Sequence, residues 1–256
     1  MDDASFRGAF DILWRRFRVA NWAEGKDPFE VLVSIVVSQN STDLVTERVM
    51  RDLSRRLAVR PREVAAAPAS LLVRALGPAG LARQKVPRIR ALAREVQRRF
   101  GGDLMRVLDE EDSRQVLMDL PGIGPKTADV WLSLVAGRDT MPVDTHIERL
   151  ARRWRLASRA DYEDITAKLK RLIPANRRAR GHLVLIQFGR ETCQSRRPKC
   201  EVCPVYDLCD AAVKRPRRNS HDAPLEGPRK AFSGVVLSRR RGSGIAREIA
   251  SEPVEH

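Results

Sequence analysis

Short helical patterns, separated by glycine and proline breaks, recur along residues 1–210 and constrain the fold more than any other feature. In the stretch 5–17, the apolar residues Phe6, Phe10, Leu13 and Phe17 recur at helical spacing. Comparable patterns occur at 43–57, 77–100, 113–120, 145–156, 161–173 and 180–190. The sequence shows no pair of alternating strands and no repeat at a solenoid period. It therefore predicts an all-α protein.

The stretch DPFEVLVSIVV at 27–37 carries the start signals of a buried helix. Asp27 fits the N-cap, Pro28 the first helical position, and Glu30 the third position after the cap. The continuous Val, Ile and Leu content would also suit a strand, but the cap signals favour a helix. A polar segment, SQNSTD at 38–43, follows it.

The chain is strongly basic, with 48 Lys and Arg against 33 Asp and Glu and a net charge of +15. This excess indicates a polyanionic partner, with nucleic acid as the first interpretation and a membrane surface as the alternative. No apolar run approaches the roughly 18 residues of a spanning helix. The acidic start MDDASF differs from the basic start of a signal peptide, so we expect a cytoplasmic protein that is not embedded in a membrane.

The composition changes after Cys209, where Arg, Pro, Ser and Gly dominate and little apolar surface remains to be buried. We predict a basic, disordered tail at 213–256, with a transient strand or helix around 231–237.

A tight turn, LPGIG at 120–124, joins two helical patterns and is typical of a helix–hairpin–helix. Gly122 and Gly124 permit positive φ and leave backbone N–H groups unshielded. Such groups, beside the positive end of the next helix, can bind a DNA phosphate without reading sequence. The alternative interpretation of this turn is an ordinary glycine-rich link between packed helices. Pro125 fits the first position of the second helix.

Lys126 follows this turn in the first turn of a helix, where the positive end of the dipole disfavours an ammonium. Such a lysine is either solvated, as a phosphate contact, or reactive as a nucleophile. Asp144, in VDTH at 143–146, fits an N-cap and could also accept a proton or stabilise a sugar cation. His146 is interpreted as a structural residue at the start of that helix.

Four cysteines, Cys193, Cys200, Cys203 and Cys209, are separated by six, two and five residues. Four thiolates suit either a 4Fe–4S cluster or zinc, and structural zinc more often uses two close pairs. Only one close pair is present, so the spacing leaves both metals open. The enclosed loop QSRRPK, with Arg196, Arg197 and Lys199, could contact DNA phosphates or be a solvated basic loop.

LPGIGPKTA at 120–128, VDTHIERL at 143–150 and the C-x6-C-x2-C-x5-C loop together resemble the endonuclease III branch of the helix–hairpin–helix DNA glycosylases. The resemblance covers roughly residues 5–210 and implies a two-lobed all-α fold. One lobe would be a six-helix barrel at 27–137, and the other an iron–sulfur lobe built from 1–26 and 138–212. It also implies a 4Fe–4S cluster held by the four cysteines, with a role in folding and DNA docking.

Carried over to this chain, the resemblance makes Lys126 the Schiff-base lysine and Asp144 the catalytic aspartate. It implies a monomeric base-excision repair enzyme of the bacterial or archaeal nucleoid. Such an enzyme is a bifunctional DNA N-glycosylase and AP lyase that acts on double-stranded DNA with a damaged base or an abasic site. Oxidised pyrimidines are the favoured substrate.

Two alternatives remain open. The first is enzymatic, a uracil or thymine mismatch glycosylase, although thymine-mismatch relatives tend to lack the lysine. Adenine-specific relatives lack the lysine and carry a catalytic glutamate where this chain has Ile35, so adenine is not the favoured substrate. The other is a non-catalytic helix–hairpin–helix DNA-binding protein with a structural cluster, which the pairing of Lys126 with Asp144 argues against.

Two loops are expected to enter the duplex when a base is extruded. SQNSTD at 38–43 is an imperfect match to the family's SAQATD, and either Gln39 or Asn40 could fill the gap left by the base. In GLARQK at 80–85, Leu81 is the apolar candidate for the opposing wedge. Each of these residues could instead be an ordinary loop or core contact.

Overall fold

A computed structural model of the chain describes residues 1–157 and 161–211, and the predicted tail at 213–256 lies outside the described residues. Within these ranges the structure is helical and contains no strand, which confirms the predicted all-α class. The α-helices are α1 (Asp3–Arg16), α2 (Pro28–Ser38), α3 (Asp43–Arg56), α4 (Pro61–Ala66), α5 (Ala69–Leu76), α6 (Ala82–Phe100), α7 (Ser113–Met118), α8 (Pro125–Leu134), α9 (Thr145–Trp154), α10 (Tyr162–Leu172) and α11 (Ala175–Glu191). Three 3-10 turns lie at Gly77–Ala79, Leu104–Asp109 and Cys200–Val202. None of the described helices combines the length and the apolar character needed to cross a membrane.

The helix starts follow the sequence signals. Asp27 caps α2, accepting hydrogen bonds from the backbone N–H groups of Phe29 at 2.9 Å and Glu30 at 3.2 Å. Pro28 is the first residue of α2 and Pro125 the first of α8. The prediction of a helix rather than a strand at 27–37 is therefore confirmed, because the cap satisfies amides that a helix start leaves without partners.

A first hydrophobic core surrounds α2, which is buried on most sides, together with parts of α3 to α8. Trp131 of α8 is fully buried in it and donates its indole N–H to the carbonyl of Pro28 at 2.9 Å. This bond fixes α8, and with it the hairpin that precedes it, against the start of α2. The position of Lys126 therefore depends on the core through Trp131.

A second core joins the N-terminal helix to the C-terminal helices. Phe6 of α1 packs edge-on against Trp154 of α9, and Trp154 stacks on Phe188 of α11, each pair with ring centroids 5.9 Å apart. The close approach of α9 and α11 depends on Gly189, where an added Cβ would lie 2.9 Å from the Cβ of His146. The lobe boundaries at 26/27 and 137/138 stay a prediction.

A buried ion pair connects helices of the two cores. Asp129 of α8 is 2% exposed and accepts hydrogen bonds from Arg114 of α7 at 2.9 and 3.2 Å. The hydroxyl of Tyr162, on α10, donates to the same carboxylate at 2.6 Å. Burial and then the charge of Asp129 raise the pKa of Tyr162, so this hydroxyl remains a donor. Because Asp129 lies one helical turn after Lys126, the contact fixes the lysine-bearing helix against the second core.

Candidate active site and cysteine cluster

The hairpin between α7 and α8 leaves the N-terminus of α8 open. Gly122 has φ +81°, a conformation that favours glycine, and Gly124 is the N-cap of α8. Because Gly124 has no side chain, no side-chain cap bonds to the first amides of α8. Only Gly122 uses the positive φ that glycine permits, since the φ of Gly124 is −108°. Gly124 instead keeps the space beside the helix end clear, since an added Cβ there would meet nothing within 4 Å.

Lys126 is the second residue of α8 and its side chain is exposed, whereas Thr127 and Ala128 beside it are buried. The backbone is thus held by the core while the amine extends into solvent beside the open helix end. An exposed amine on a fixed backbone is accessible to a large substrate.

Asp144 is 8% exposed and caps α9. Its Oδ1 accepts hydrogen bonds from the backbone N–H groups of His146 at 2.9 Å and Ile147 at 2.8 Å, so the predicted cap is correct. The two bonds share one carboxylate oxygen and hold it at the start of α9. A carboxylate is also stable here because the helix start carries partial positive charge.

His182 on α11 links the two candidate residues, and the sequence analysis missed it. It is 2% exposed, and its Nδ1 lies 2.9 Å from the carbonyl oxygen of Pro142, two residues before Asp144. Burial lowers the pKa of His182 to about 4, although the negative charge of Asp144 raises it and the positive charge of Lys126 lowers it further. The imidazole is therefore neutral at neutral pH, and Nδ1 donates to the carbonyl.

The charges of Asp144 and Lys126 act in opposite directions on the pKa of this one imidazole. A buried histidine forty residues from its partner leaves no local sequence signal. Only the packing of α11 against the loop before α9 reveals it.

The two predicted insertion loops follow α2 and precede α6, respectively. Asn40 is exposed with φ +57°, and the adjacent Gln39 is half-buried at the end of α2. Leu81 is 49% exposed with φ +52° and immediately precedes α6. Ile35, at the position of the glutamate of adenine-specific relatives, is 6% exposed and contributes to the first core.

The four cysteines line one pocket beside α9 and α11, with Arg153, Trp154 and Phe188. Burial and then the charges of the other three thiols raise the pKa of Cys203 to about 11. Arg153 donates to the Sγ and the carbonyl of Cys193, both at 3.1 Å, which places a cation beside the pocket. Arg196, Arg197 and Lys199 are exposed on the loop that closes it.

The donor set of this pocket fits a 4Fe–4S cluster. Four cysteine side chains line the pocket, and four thiolates are the usual ligands of such a cluster. Structural zinc more often uses two close pairs of ligands, whereas this loop has one close pair, Cys200 and Cys203.

Comparisons with known proteins identify the family of this chain. Residues 33–175 match the HhH-GPD superfamily of base excision DNA repair proteins, and residues 193–209 match the iron–sulfur binding domain of endonuclease III. Endonuclease III of Bacillus subtilis is 33% identical over 75% of this chain and 85% of its own length. Endonuclease III of Escherichia coli K12 is 31% identical over 73% and 85%. A solved structure of a trapped endonuclease III–DNA covalent intermediate superposes with a TM-score of 0.74 at 29% identity, covering 82% of this chain and 96% of that one.

The chain therefore belongs to the HhH-GPD superfamily of base excision DNA repair proteins, and within it to the endonuclease III family of iron–sulfur DNA glycosylases with AP lyase activity. The resemblance inferred from LPGIGPKTA, VDTHIERL and the cysteine spacing is confirmed, as are the fold class and the iron–sulfur cofactor.

Proposed function

We propose that this chain removes oxidised pyrimidines from double-stranded DNA as a monomer, and then cleaves the strand at the abasic site through a Schiff base on Lys126. The observation that carries this proposal is the exposed side chain of Lys126 at the open start of α8, in a chain of the endonuclease III family whose Asp144 carboxylate is buried at the start of α9. A relative of known structure was trapped as a covalent intermediate with DNA, as an amine nucleophile requires.

Lys126 performs the covalent chemistry as its free amine. Its Nζ bonds to C1′ of the sugar as the C1′–base bond breaks, and the base leaves with the bonding pair and takes up a proton. The nitrogen then loses a proton, the C1′–O4′ bond opens, and O4′ takes up a proton, which gives an iminium. The C2′ proton is then lost, and its electron pair forms a C2′–C3′ double bond. The C3′–O bond breaks at the same time and the 3′ phosphate leaves. Water hydrolyses the imine and releases the lysine.

Asp144 stabilises the positive charge that develops on the sugar as the base departs, and accepts a proton from the attacking nitrogen. Its two N-cap bonds, both accepted by Oδ1, anchor the carboxylate at the start of α9. His182, neutral and bonded to the Pro142 carbonyl, fixes the loop that brings Asp144 to this place.

DNA binding in this proposal uses separate parts of the surface. The open amides at the start of α8, beside Gly122 and Gly124, bind a phosphate. Leu81 enters the stack as the wedge, and Gln39 or Asn40 fills the gap left by the extruded base. The exposed side chains of the cysteine loop, Arg196, Arg197 and Lys199, contact phosphates further along the duplex.

The 4Fe–4S cluster in this proposal is held by Cys193, Cys200, Cys203 and Cys209. When bound, it cross-links the loop at 193–209. We expect Cys203→Ser to lose most of the bound iron and the broad visible absorbance of the cluster. The matched control Ser195→Ala, on an exposed residue of the same loop, keeps both. Iron and sulfide are measured per chain. Stoichiometric zinc in the wild type, or full iron in the serine variant, contradicts this assignment.

The test of the function is borohydride trapping of the full chain on a panel of 5′-labelled duplexes. The lesions are thymine glycol, an abasic site, uracil and a thymine–guanine mismatch, each matched to an undamaged duplex. We expect covalent adducts and strand cleavage with thymine glycol and the abasic site, and at least about tenfold less with uracil and the mismatch. Preference for uracil or the mismatch would favour the enzymatic alternative. No adduct with any duplex would favour a non-catalytic DNA-binding protein.

A further inference from the structure

Lys85 is a buried cation on the face of α6 opposite the solvent. It is 4% exposed, and its Nζ donates hydrogen bonds to the carbonyl oxygens of Val37 at 2.8 Å and Ala79 at 3.1 Å. Lysine is rarely buried to this extent unless it is paired with an opposite charge. Here both acceptors are uncharged carbonyls, so the ammonium loses hydration without gaining an ion pair, and burial lowers the pKa of Lys85.

The two acceptors are ends of two different elements. Val37 lies in the last turn of α2, and Ala79 is the last residue of the 3-10 turn at Gly77–Ala79. Helices end with carbonyls that have no partner within the helix, and these ends carry partial negative charge. Lys85 thus satisfies the ends of two elements at once and fixes their separation.

Each acceptor is followed within three residues by a strained backbone position. Asn40 has φ +57° and Leu81 has φ +52°. In the described ranges only one other non-glycine residue, Arg155, has positive φ. A left-handed conformation costs about 1–2 kcal/mol for such residues, so it persists where the surroundings impose it. Leucine, unlike asparagine, cannot offset this cost with a local side-chain hydrogen bond.

The two strained residues, Asn40 and Leu81, therefore lie in the two loops that the buried Lys85 joins, and both residues are exposed. Leu81 is 49% exposed although apolar, and Asn40 is exposed as well. The positive φ of Asn40 and Leu81 and the exposed apolar side chain of Leu81 do not stabilise the free protein. Such costs are expected in loops that must be held at a fixed separation before a ligand binds.

We propose that Lys85 is a positioning residue that holds the loop after α2 and the loop before α6 at the separation needed to enter the DNA duplex together. Leu81 then presses into the stack while Gln39 or Asn40 occupies the gap, so that extrusion of the base requires no prior ordering of the loops. This inference rests on the proposed function, because it concerns how that site receives its substrate.

The closing experiment uses the full chain and Lys85→Met, which keeps the length of the side chain and removes its donors. Single-turnover trapping is measured on a duplex with a paired thymine glycol and on a single strand with an abasic site, where no base is extruded. We expect a rate about 10²-fold lower on the duplex, the effect of a misplacement of about 1 Å. On the single strand we expect the wild-type rate within about threefold.

Two controls separate positioning from general damage. Lys85→Arg, which retains donors, should recover part of the duplex rate. Leu81→Ala should reduce the duplex rate. Adding Lys85→Met to that variant should lower the rate further by much less than 10²-fold, because the effects of substitutions at coupled residues do not add. The melting temperature of Lys85→Met should lie within about 4 °C of wild type, since a change below about 1 kcal/mol is expected.

Binding measured without chemistry keeps the two proposals distinguishable. The preference of wild type for a duplex with a tetrahydrofuran abasic analogue over an undamaged duplex should fall at least about tenfold in Lys85→Met. The role of Lys85 is overturned if Lys85→Met keeps both the wild-type binding preference and the wild-type duplex rate. It is also overturned if the trapping rate falls equally on the duplex and on the single strand. Wild type that prefers the analogue but traps nowhere overturns the proposed function alone. Wild type with no preference and no trapping overturns both.

Discussion

Lys126→Gln should form no covalent adduct with an abasic duplex under borohydride, and its strand-cleavage rate should fall by roughly 10⁴-fold, about 5.5 kcal/mol of transition-state stabilisation. The amide has no nucleophilic lone pair, so neither the bond to C1′ nor the iminium can form. Little structural damage is expected, because the Lys126 side chain is exposed while its neighbours Thr127 and Ala128 form the buried contacts of α8. The measurement is single-turnover trapping and cleavage with enzyme in excess.

Lys126→Arg is the matched control for charge. It keeps a cation beside the open helix end, but the guanidinium is protonated at all accessible pH and cannot attack. We expect it to bind an abasic-analogue duplex within about tenfold of wild type and still to form no adduct. An adduct in either variant at the wild-type rate would mean that another amine is the nucleophile.

Asp144→Asn separates the two roles of Asp144. Asparagine caps helices as well as aspartate does, so the free energy of unfolding should change by less than about 0.5 kcal/mol. Excision of thymine glycol should nevertheless slow by about 10²–10⁴-fold, because the neutral amide neither stabilises the sugar cation nor accepts a proton. Denaturant titration and single-turnover excision provide the two measurements.

Asp144→Ala completes the comparison, because it removes the cap as well as the charge. Asp144 is 8% exposed and bonds to two backbone amides, so this variant should lose about 1 kcal/mol of stability beyond the asparagine variant. Its excision rate should match that of Asp144→Asn. If the asparagine variant excises at the wild-type rate, Asp144 is a cap only.

Local signals predicted the parts of this site that depend on neighbours in the sequence. Asp27 and Asp144 were identified as caps and Pro125 as a first helical residue, because each meets a need of the helix start within three residues. The sequence did not predict which of the permitted conformations each glycine of the hairpin adopts. Gly122 has φ +81°, whereas Gly124 has φ −108° and leaves open space beside the helix end.

Long-range contacts could not be inferred in the same way. Lys85 meets the Val37 carbonyl across 48 positions, and Tyr162 meets Asp129 across 33. In the sequence, Lys85 belongs to the GLARQK loop and Tyr162 to the helical pattern at 161–173, and neither position carries a signal of its partner. Which face of α6 or α10 meets which loop is decided by the packing of side chains on other helices, and no local pattern encodes it.

The sequence by itself determined the helical class, the open hairpin with its lysine, the capping aspartate and the set of four thiols. Each of these follows from residue type and spacing over a short stretch of chain. Only the tertiary structure decided that His182 lies in the fields of both Lys126 and Asp144, and that one buried ammonium joins the loops of Asn40 and Leu81. These arrangements arise when the helices pack, because burial and electrostatic coupling belong to positions in space and not to positions along the chain.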